Sequence, residues 1–392
     1  MIKSRSFVKA TLQAILAAAL FSASTPFSKI LLGKVDPLPL AALLYIGSGI
    51  GSLLFMFLRC IGQKCDEAEA PLERADIPWL VGATVAGGVV APIILMVSLK
   101  VTPAATASML FNFEGVATIL IASLLFQEAA GRRIWTAIAF ITGAGILLSL
   151  DTSGGWGISI GALGVIVACA LWGLNNNLIR NISAKDPLKI VTIKGLCAGT
   201  FTLLLSMVLG RSFPSIPIIL VALLIGSVSY GMCIMLSVLA MRSLGAGRTS
   251  AYFGTAPFIG AILSFILFRE MPNIPFLLSV PLMIAGAILL LGENHCHVHK
   301  HLPMEHEHRH RHDDLHHNHT HEDGYCGHGA HSHKHKHELL VHTHPHAPDI
   351  HHRHDHSKIT EHLIELDMES DNNCMVDTHN SVEEADIARQ NN

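Results

Sequence analysis

The chain has 392 residues, half of them hydrophobic and 15% charged, with a formal net charge of −3. That average hides two materials: residues 1–292 carry 19 Lys+Arg against 11 Asp+Glu (+8), whereas residues 293–392 carry 8 against 19 (−11) and hold all 26 histidines. The first part is built of apolar runs of about 20 residues, the length that crosses a hydrocarbon layer, which excludes a soluble core and defines a polytopic membrane protein.

Ten spans are predicted in chain order: 11–32, 38–61, 78–99, 103–126, 133–150, 158–179, 188–209, 216–240, 246–268 and 274–292. Every backbone polar group in lipid must be satisfied within its own segment, and these runs lack the dyad alternation of barrel strands, so helices are expected. MIKSRSFVK, an apolar stretch and FSAST resemble a signal peptide. The run continues past Pro26 to about Leu32 and has a counterpart later in the chain, so a retained first span is the expectation.

Lys and Arg in the connections set the orientation. With the N-terminus in the cytosol, the inner segments hold 13 of them, among them Arg132, Arg133, Lys185 and Lys189. The outer loops hold four: Lys34, Lys100, Arg211 and Arg269. An even number of spans then places the C-terminal tail in the cytosol as well. Cys169, Cys197 and Cys233 sit singly in apolar runs and read as small hydrophobes.

The chain repeats itself. Shifted by 142, Lys100 meets Arg242, Ser108 meets Ser250, Phe111 meets Phe253, and LLFQE (124–128) meets ILFRE (266–270). A second register aligns DPL at 36–38 with DPL at 186–188, and Gly49 with Gly199. Two five-helix copies are predicted, residues 1–150 and 151–292. Because five is odd, they enter the membrane from opposite sides. Inverted repeats commonly place a substrate site at their interface near mid-membrane. The fold class read from the sequence is therefore all-α: ten transmembrane helices as two inverted five-helix repeats, followed by a disordered cytosolic tail.

The segments FNFEGVATILIASLLFQE (111–128) and FGTAPFIGAILSFILFRE (253–270) resemble the helices of the drug/metabolite transporter superfamily, in particular its EamA-type members. The likeness covers about residues 8–292. The first copy has Gly115 where the family usually has proline; the second keeps Pro257 but has Ala256 opposite Glu114. The resemblance implies a ten-helix exporter or importer of small organic solutes, without an ATP-binding domain.

An ionisable group at mid-membrane costs about 2.5–3.5 kcal/mol, which makes it a functional candidate. Glu114, near the centre of span four, is a candidate for a proton or a cationic group. Lys194, in span seven, is a candidate for an anionic group. The structural alternative is an ion pair between the repeats, or a lysine that snorkels to the surface. Asn175, Asn176 and Asn177 run consecutively in span six. Successive helical residues point about 100° apart, so at least one amide must face the interior. Spans three and eight are expected to be interrupted at corresponding places, at GGVVAP (87–92) and GSVSYG (226–231). Asn112 and Tyr230 complete the candidate substrate-binding set of Glu114, Lys194, Asn112, Asn175, Asn176 and Tyr230. Gly47-x-x-x-Gly51 reads as helix packing, and Glu128 and Glu270 as interfacial.

The tail lacks apolar periodicity and is expected to be disordered. Its candidate metal ligands are His295, Cys296, His297, His306, His308, His310, His331, His333, His335, His337, His351, His352 and His354. Neutral imidazole suits Zn²⁺, Ni²⁺ and Cu²⁺, and many overlapping weak sites are expected. His306-Glu307-His308-Arg309-His310 matches H-E-x-x-H, but in so histidine-rich a stretch the match is incidental.

The leading reading is a secondary transporter of small organic metabolites in the plasma membrane. No cofactor is required, and Zn or Ni is bound by the tail. The expected partners are the substrate, the bilayer and divalent metal ions, without nucleic acid; a homodimer is left open. The alternative is a transporter or exporter of divalent Zn, Ni or Co whose tail collects the ion. A membrane-tethered metal store or sensor is a third class. An enzyme is the least favoured, because no nucleophile–base constellation appears.

Overall fold

A computed structural model describes residues 2–62, 71–125, 132–151, 157–182, 185–244, 249, 252–269, 271–291, 295–301, 304–310, 331–337 and 340–346. The chain divides into two units, a helical one ending at Gly292 and a second that contains the tail from Glu293.

In the first half of the helical unit, α1 (Ile2–Leu31) and α2 (Pro37–Gly62) are followed by a long span. That span joins α3 (Ile77–Ala83), a π-wound segment (Thr84–Val90) and α4 (Ala91–Val101). Then come α5 (Ala104–Leu110), α6 (Asn112–Leu125) and α7 (Arg132–Ser149). The second half holds α8 (Ile160–Arg180) and α9 (Pro187–Val208). Its own π-wound segment (Ser227–Met232) lies between α10 (Ile216–Gly226) and α11 (Cys233–Leu244). α12 (Ala256–Phe268) and α13 (Ile274–Leu291) complete it. Each predicted span thus contains a helix among the described residues. Seven helical segments are long and apolar enough to cross a membrane, and α12 and α13 are shorter apolar helices. The helices present apolar side chains outwards, including Phe57, Leu124 and Ile266. In water this would be prohibitive; against lipid it is the expected surface.

Local chemistry starts several helices where the sequence says it should. Both DPL motifs open a helix at the proline, α2 at Pro37 and α9 at Pro187. Asp186 caps α9 by accepting from the amides of Leu188 (3.0 Å) and Lys189 (3.4 Å). Proline suits the first turn because its missing N–H would have no intrahelical partner there.

Packing between the halves is reciprocal. α1 packs on α11 and α12, and its counterpart α8 packs on α4 and α6. Three helices pack on their own counterparts: α2 on α9, α5 on α12 and α7 on α13. A two-fold relation between two copies requires this pattern. The α2–α9 contact is close enough that a Cβ on Gly195 would stand 2.8 Å from the Gly49 backbone nitrogen. Gly47 and Gly51 likewise admit the backbones of Leu223 and Ser227, in line with the packing role expected of them.

Two expectations need correction. Spans three and eight are not interrupted. They continue through π-wound turns, at places that correspond under the 142-residue shift. Glycine and small residues permit the wider winding without breaking the helix. Nor is the structure wholly α. β1 (Leu150–Asp151) pairs with β2 (Gly157–Ile158), and four stretches expected to be disordered are strands. They are β3 (His295–His301), β4 (Met304–His310), β5 (His331–His337) and β6 (Leu340–His346). β3 pairs antiparallel with β6, and β4 with β5. The expectation considered apolar periodicity alone, but H-x-H alternation has the period of a strand whatever its polarity. The remainder of the tail, with His351, His352, His354 and Cys326, lies outside the described residues, as do Glu128 and Glu270.

Candidate functional site in the helical unit

Four of the predicted residues meet in one hydrogen-bonded chain that links the two halves. Lys194 on α9 donates from Nζ to Asn175 Oδ1 on α8. Asn175 Nδ2 donates to Asn176 Oδ1 (3.0 Å), and Asn176 Nδ2 donates to Glu114 Oε1 on α6 (2.9 Å). Asn176 Nδ2 also reaches Thr118 Oγ1 (3.3 Å), whose hydroxyl donates to the Glu114 carbonyl (2.7 Å). Consecutive residues of α8 thus serve different ends. Asn175 and Asn176 join the charges, while Asn177 Nδ2 ties α8 to the carbonyls of Thr118 and Gly173, both at 2.9 Å. Gly173 makes that approach possible, since a Cβ there would lie 2.8 Å from the Thr118 nitrogen.

The helix that carries the first π-wound segment closes one side. α-Helical winding bonds each carbonyl four residues on, whereas here the Ala91 N–H reaches back five, to the Ala86 carbonyl. The neighbouring Gly87 carbonyl accepts instead from side chains: Tyr45 Oη (2.6 Å) and Trp172 Nε1 (3.0 Å). Gly87 is also pressed against the relay, because a Cβ there would lie 2.6 Å from Asn175 Cγ and 2.7 Å from its Oδ1.

Aromatic rings form the next layer. Tyr230, in the second π-wound segment, stands 6.0 Å from the Tyr45 ring and edge-on to Phe21 at 5.9 Å. Phe21 also approaches Phe111 (6.4 Å) and Phe253 (5.5 Å), and Phe111 meets Trp172 edge-on at 5.7 Å. Phe111 and Phe253 are counterparts under the repeat register. Such edge and tilted arrangements favour the ring quadrupoles.

The predicted set is only partly gathered. Glu114, Lys194, Asn175 and Asn176 meet in one chain, and Tyr230 stands beside it. Asn112 does not join: its Nδ2 bonds the Met109 carbonyl (3.0 Å), across the break between α5 and α6. Lys194 is half-buried and bonded inwards rather than snorkelling. Tyr45, Trp172 and Thr118 were not anticipated. A signal existed for the first two, because a phenol or indole buried in an apolar span needs a hydrogen-bond partner. Cys169 and Cys233 are buried as expected, whereas Cys197 is exposed. Among the described residues, no group of three or more His, Cys, Asp or Glu side chains is gathered as a metal site.

A multi-pass helical unit with reciprocal halves, apolar outer faces and a charged, hydrogen-bonded interior fits a membrane transport protein. The EamA-like transporter family model matches residues 8–150 and again 159–292, and the chain belongs to that family. It is 29% identical over 296 residues to an uncharacterized transporter of Methanothermobacter thermautotrophicus, covering 71% of this chain and 83% of that protein. A shorter match, 26% over 106 residues, covers 25% of this chain and 93% of a probable 4-amino-4-deoxy-L-arabinose-phosphoundecaprenol flippase subunit ArnE of Photorhabdus laumondii. A solved crystal structure, 19% identical, superposes with a TM-score of 0.52 over 71% of this chain and 94% of its own; it bears on the fold alone.

Proposed function

We propose that this protein is a secondary carrier of small organic metabolites, working by alternating access without ATP. Its ten spans form two inverted repeats in the plasma membrane, with both termini in the cytosol. The observation that carries this reading is the Glu114–Asn176–Asn175–Lys194 chain. It joins opposite charges from the two halves through neutral amides. Rocking of one repeat against the other strains such a bridge. A polar solute that takes over its hydrogen bonds relieves the strain. The aromatic layer of Phe21, Tyr45, Tyr230 and Trp172 supplies an apolar wall for the organic part of the solute.

A divalent-metal carrier fits less well. Glu114 lies on a chain with two amides and a lysine, and a cation approaching it meets the Lys194 ammonium. Metal enters this reading only at the tail, whose histidines would bind Zn or Ni on the cytosolic side.

The test is counterflow in proteoliposomes with panels of amino acids, organic cations and organic anions, and with Zn²⁺. Glu114→Gln and Lys194→Met should each lower flux of the transported solute at least tenfold while the protein remains folded in detergent. Native flux in both variants, or Zn²⁺ flux through a chain ending at Gly292, would overturn the reading.

A further inference from the structure

We propose that Lys185, Glu73 and Asp76 form a latch between the two halves that holds one face of the helical unit closed at rest. The corresponding positions of the opposite face cannot form it, so the resting equilibrium is one-sided. This rests on the reading of the protein as an alternating-access carrier, and adds which face is the harder to open.

The latch joins two connections. The one before α3 belongs to the first half and ends in a short 3₁₀ turn (Arg74–Asp76). Its two acids brace each other: the Glu73 N–H donates to Asp76 Oδ2 (2.8 Å), and the Asp76 N–H to the Glu73 carbonyl (3.1 Å). The connection between α8 and α9 belongs to the second half. It turns tightly, with the Ile182 N–H bonded to the Ile179 carbonyl (3.0 Å) and the Lys185 N–H to the Ile182 carbonyl (3.1 Å). Lys185 Nζ then donates to Glu73 Oε1 (2.7 Å) and lies 3.7 Å from Asp76 Oδ2. The side chains of Lys185 and Asp76 are only 10% and 14% exposed. Beside them lies an apolar seal from both halves, Leu72 and Leu80 with Ile179, Ile182 and Ile190. Rocking the halves apart here breaks a charge-assisted hydrogen bond and wets the seal in one movement.

The repeat supplies the comparison. Under the register that aligns the two DPL motifs, Lys185 corresponds to Val35 and Ile182 to Leu32. α3 and α10 both open on Ile-Pro, at 77–78 and 216–217, so Asp76 corresponds to Ser215 and Glu73 to Ser212. The opposite face thus keeps two buried apolar residues, Leu32 and Val35, but has a valine and two exposed serines in place of the three charges. Opening the Lys185 face costs an ion pair; at these positions, opening the other does not. In an equilibrium between two facing states, the face that costs more to open is the one closed at rest. Lys185→Met leaves Asp76 enclosed without its cation, which penalises the closed form.

The test needs no substrate. Ile182 is 1% exposed, so in full-length protein in detergent Ile182→Cys reacts with a maleimide only when the seal parts. Labelling at that residue is followed by mass spectrometry. Adding Lys185→Met should speed it about tenfold. Lys185→Arg should keep the native rate, and Lys185→Glu with Glu73→Lys and Asp76→Asn should return towards it. A wedge on the opposite face separates opening from local fraying. Leu32→Trp, or Val35→Trp as a second choice, props that face open and should slow labelling at residue 182 again in the Lys185→Met chain. Labelling unchanged by Lys185→Met overturns the latch, and so does a fast rate that neither wedge lowers. Solute flux without these labelling changes removes the latch and leaves the carrier; the labelling changes without flux of any solute in the counterflow panel leave the latch and remove the carrier.

Discussion

Gly87→Ala is the sharpest probe of the relay. The added methyl would stand 2.6 Å from Asn175 Cβ and Cγ and 2.7 Å from Oδ1, the atom that accepts from Lys194. Carbon atoms prefer about 3.5–4.0 Å, so α8 must retreat by roughly an ångström or Asn175 must turn away. Retreat is overpacking, which costs about 1–3 kcal/mol. Turning away forfeits a hydrogen bond to a charged donor, worth about 1.5–3 kcal/mol. Alanine recovers about 0.5–1 kcal/mol because glycine is the poorer helix former. The net loss is about 1–2 kcal/mol, a five- to thirtyfold effect on an equilibrium that depends on the relay. Gly143→Ala is the control: a Cβ there meets nothing within 4 Å, so the same chemical change should be neutral or slightly stabilising. Counterflow at graded substrate concentrations and thermal unfolding in detergent read both terms. If Gly87→Ala matches Gly143→Ala in KM and Tm, the relay is not held by this contact and the reasoning fails.

Two further substitutions test the supports of the site. Trp172→Phe removes one of two donors to the Gly87 carbonyl and should cost about 1 kcal/mol, since Tyr45 still satisfies it. Combining it with Tyr45→Phe strands the carbonyl and should cost more than the sum of the single changes; strict additivity in thermal unfolding would show that the two donors act independently. Asp186→Ala removes the α9 cap and should cost about 0.5–2 kcal/mol, with Asp186→Asn close to native, as melting in detergent would show.

Sequence alone determined the membrane class and an internal repeat, which the family model matches twice. These follow from the length of apolar runs and from residue identities recurring at a fixed shift, both local properties of the chain. It also singled out Glu114, Lys194 and the asparagine run, because charges and amides in lipid are expensive wherever the helices go. It did not specify which of those groups touch. That depended on where small residues let backbones approach, as at Gly87 against Asn175 and Gly195 against Gly49. Asn112 had the same chemistry as its neighbours, yet the break between α5 and α6 used its amide locally. Tyr45 and Trp172 became partners only because π-winding re-routed the backbone bonds around Gly87. In the tail the histidines were plain to read, but their pairing was not, because strand register is a relation between segments and no single segment contains it.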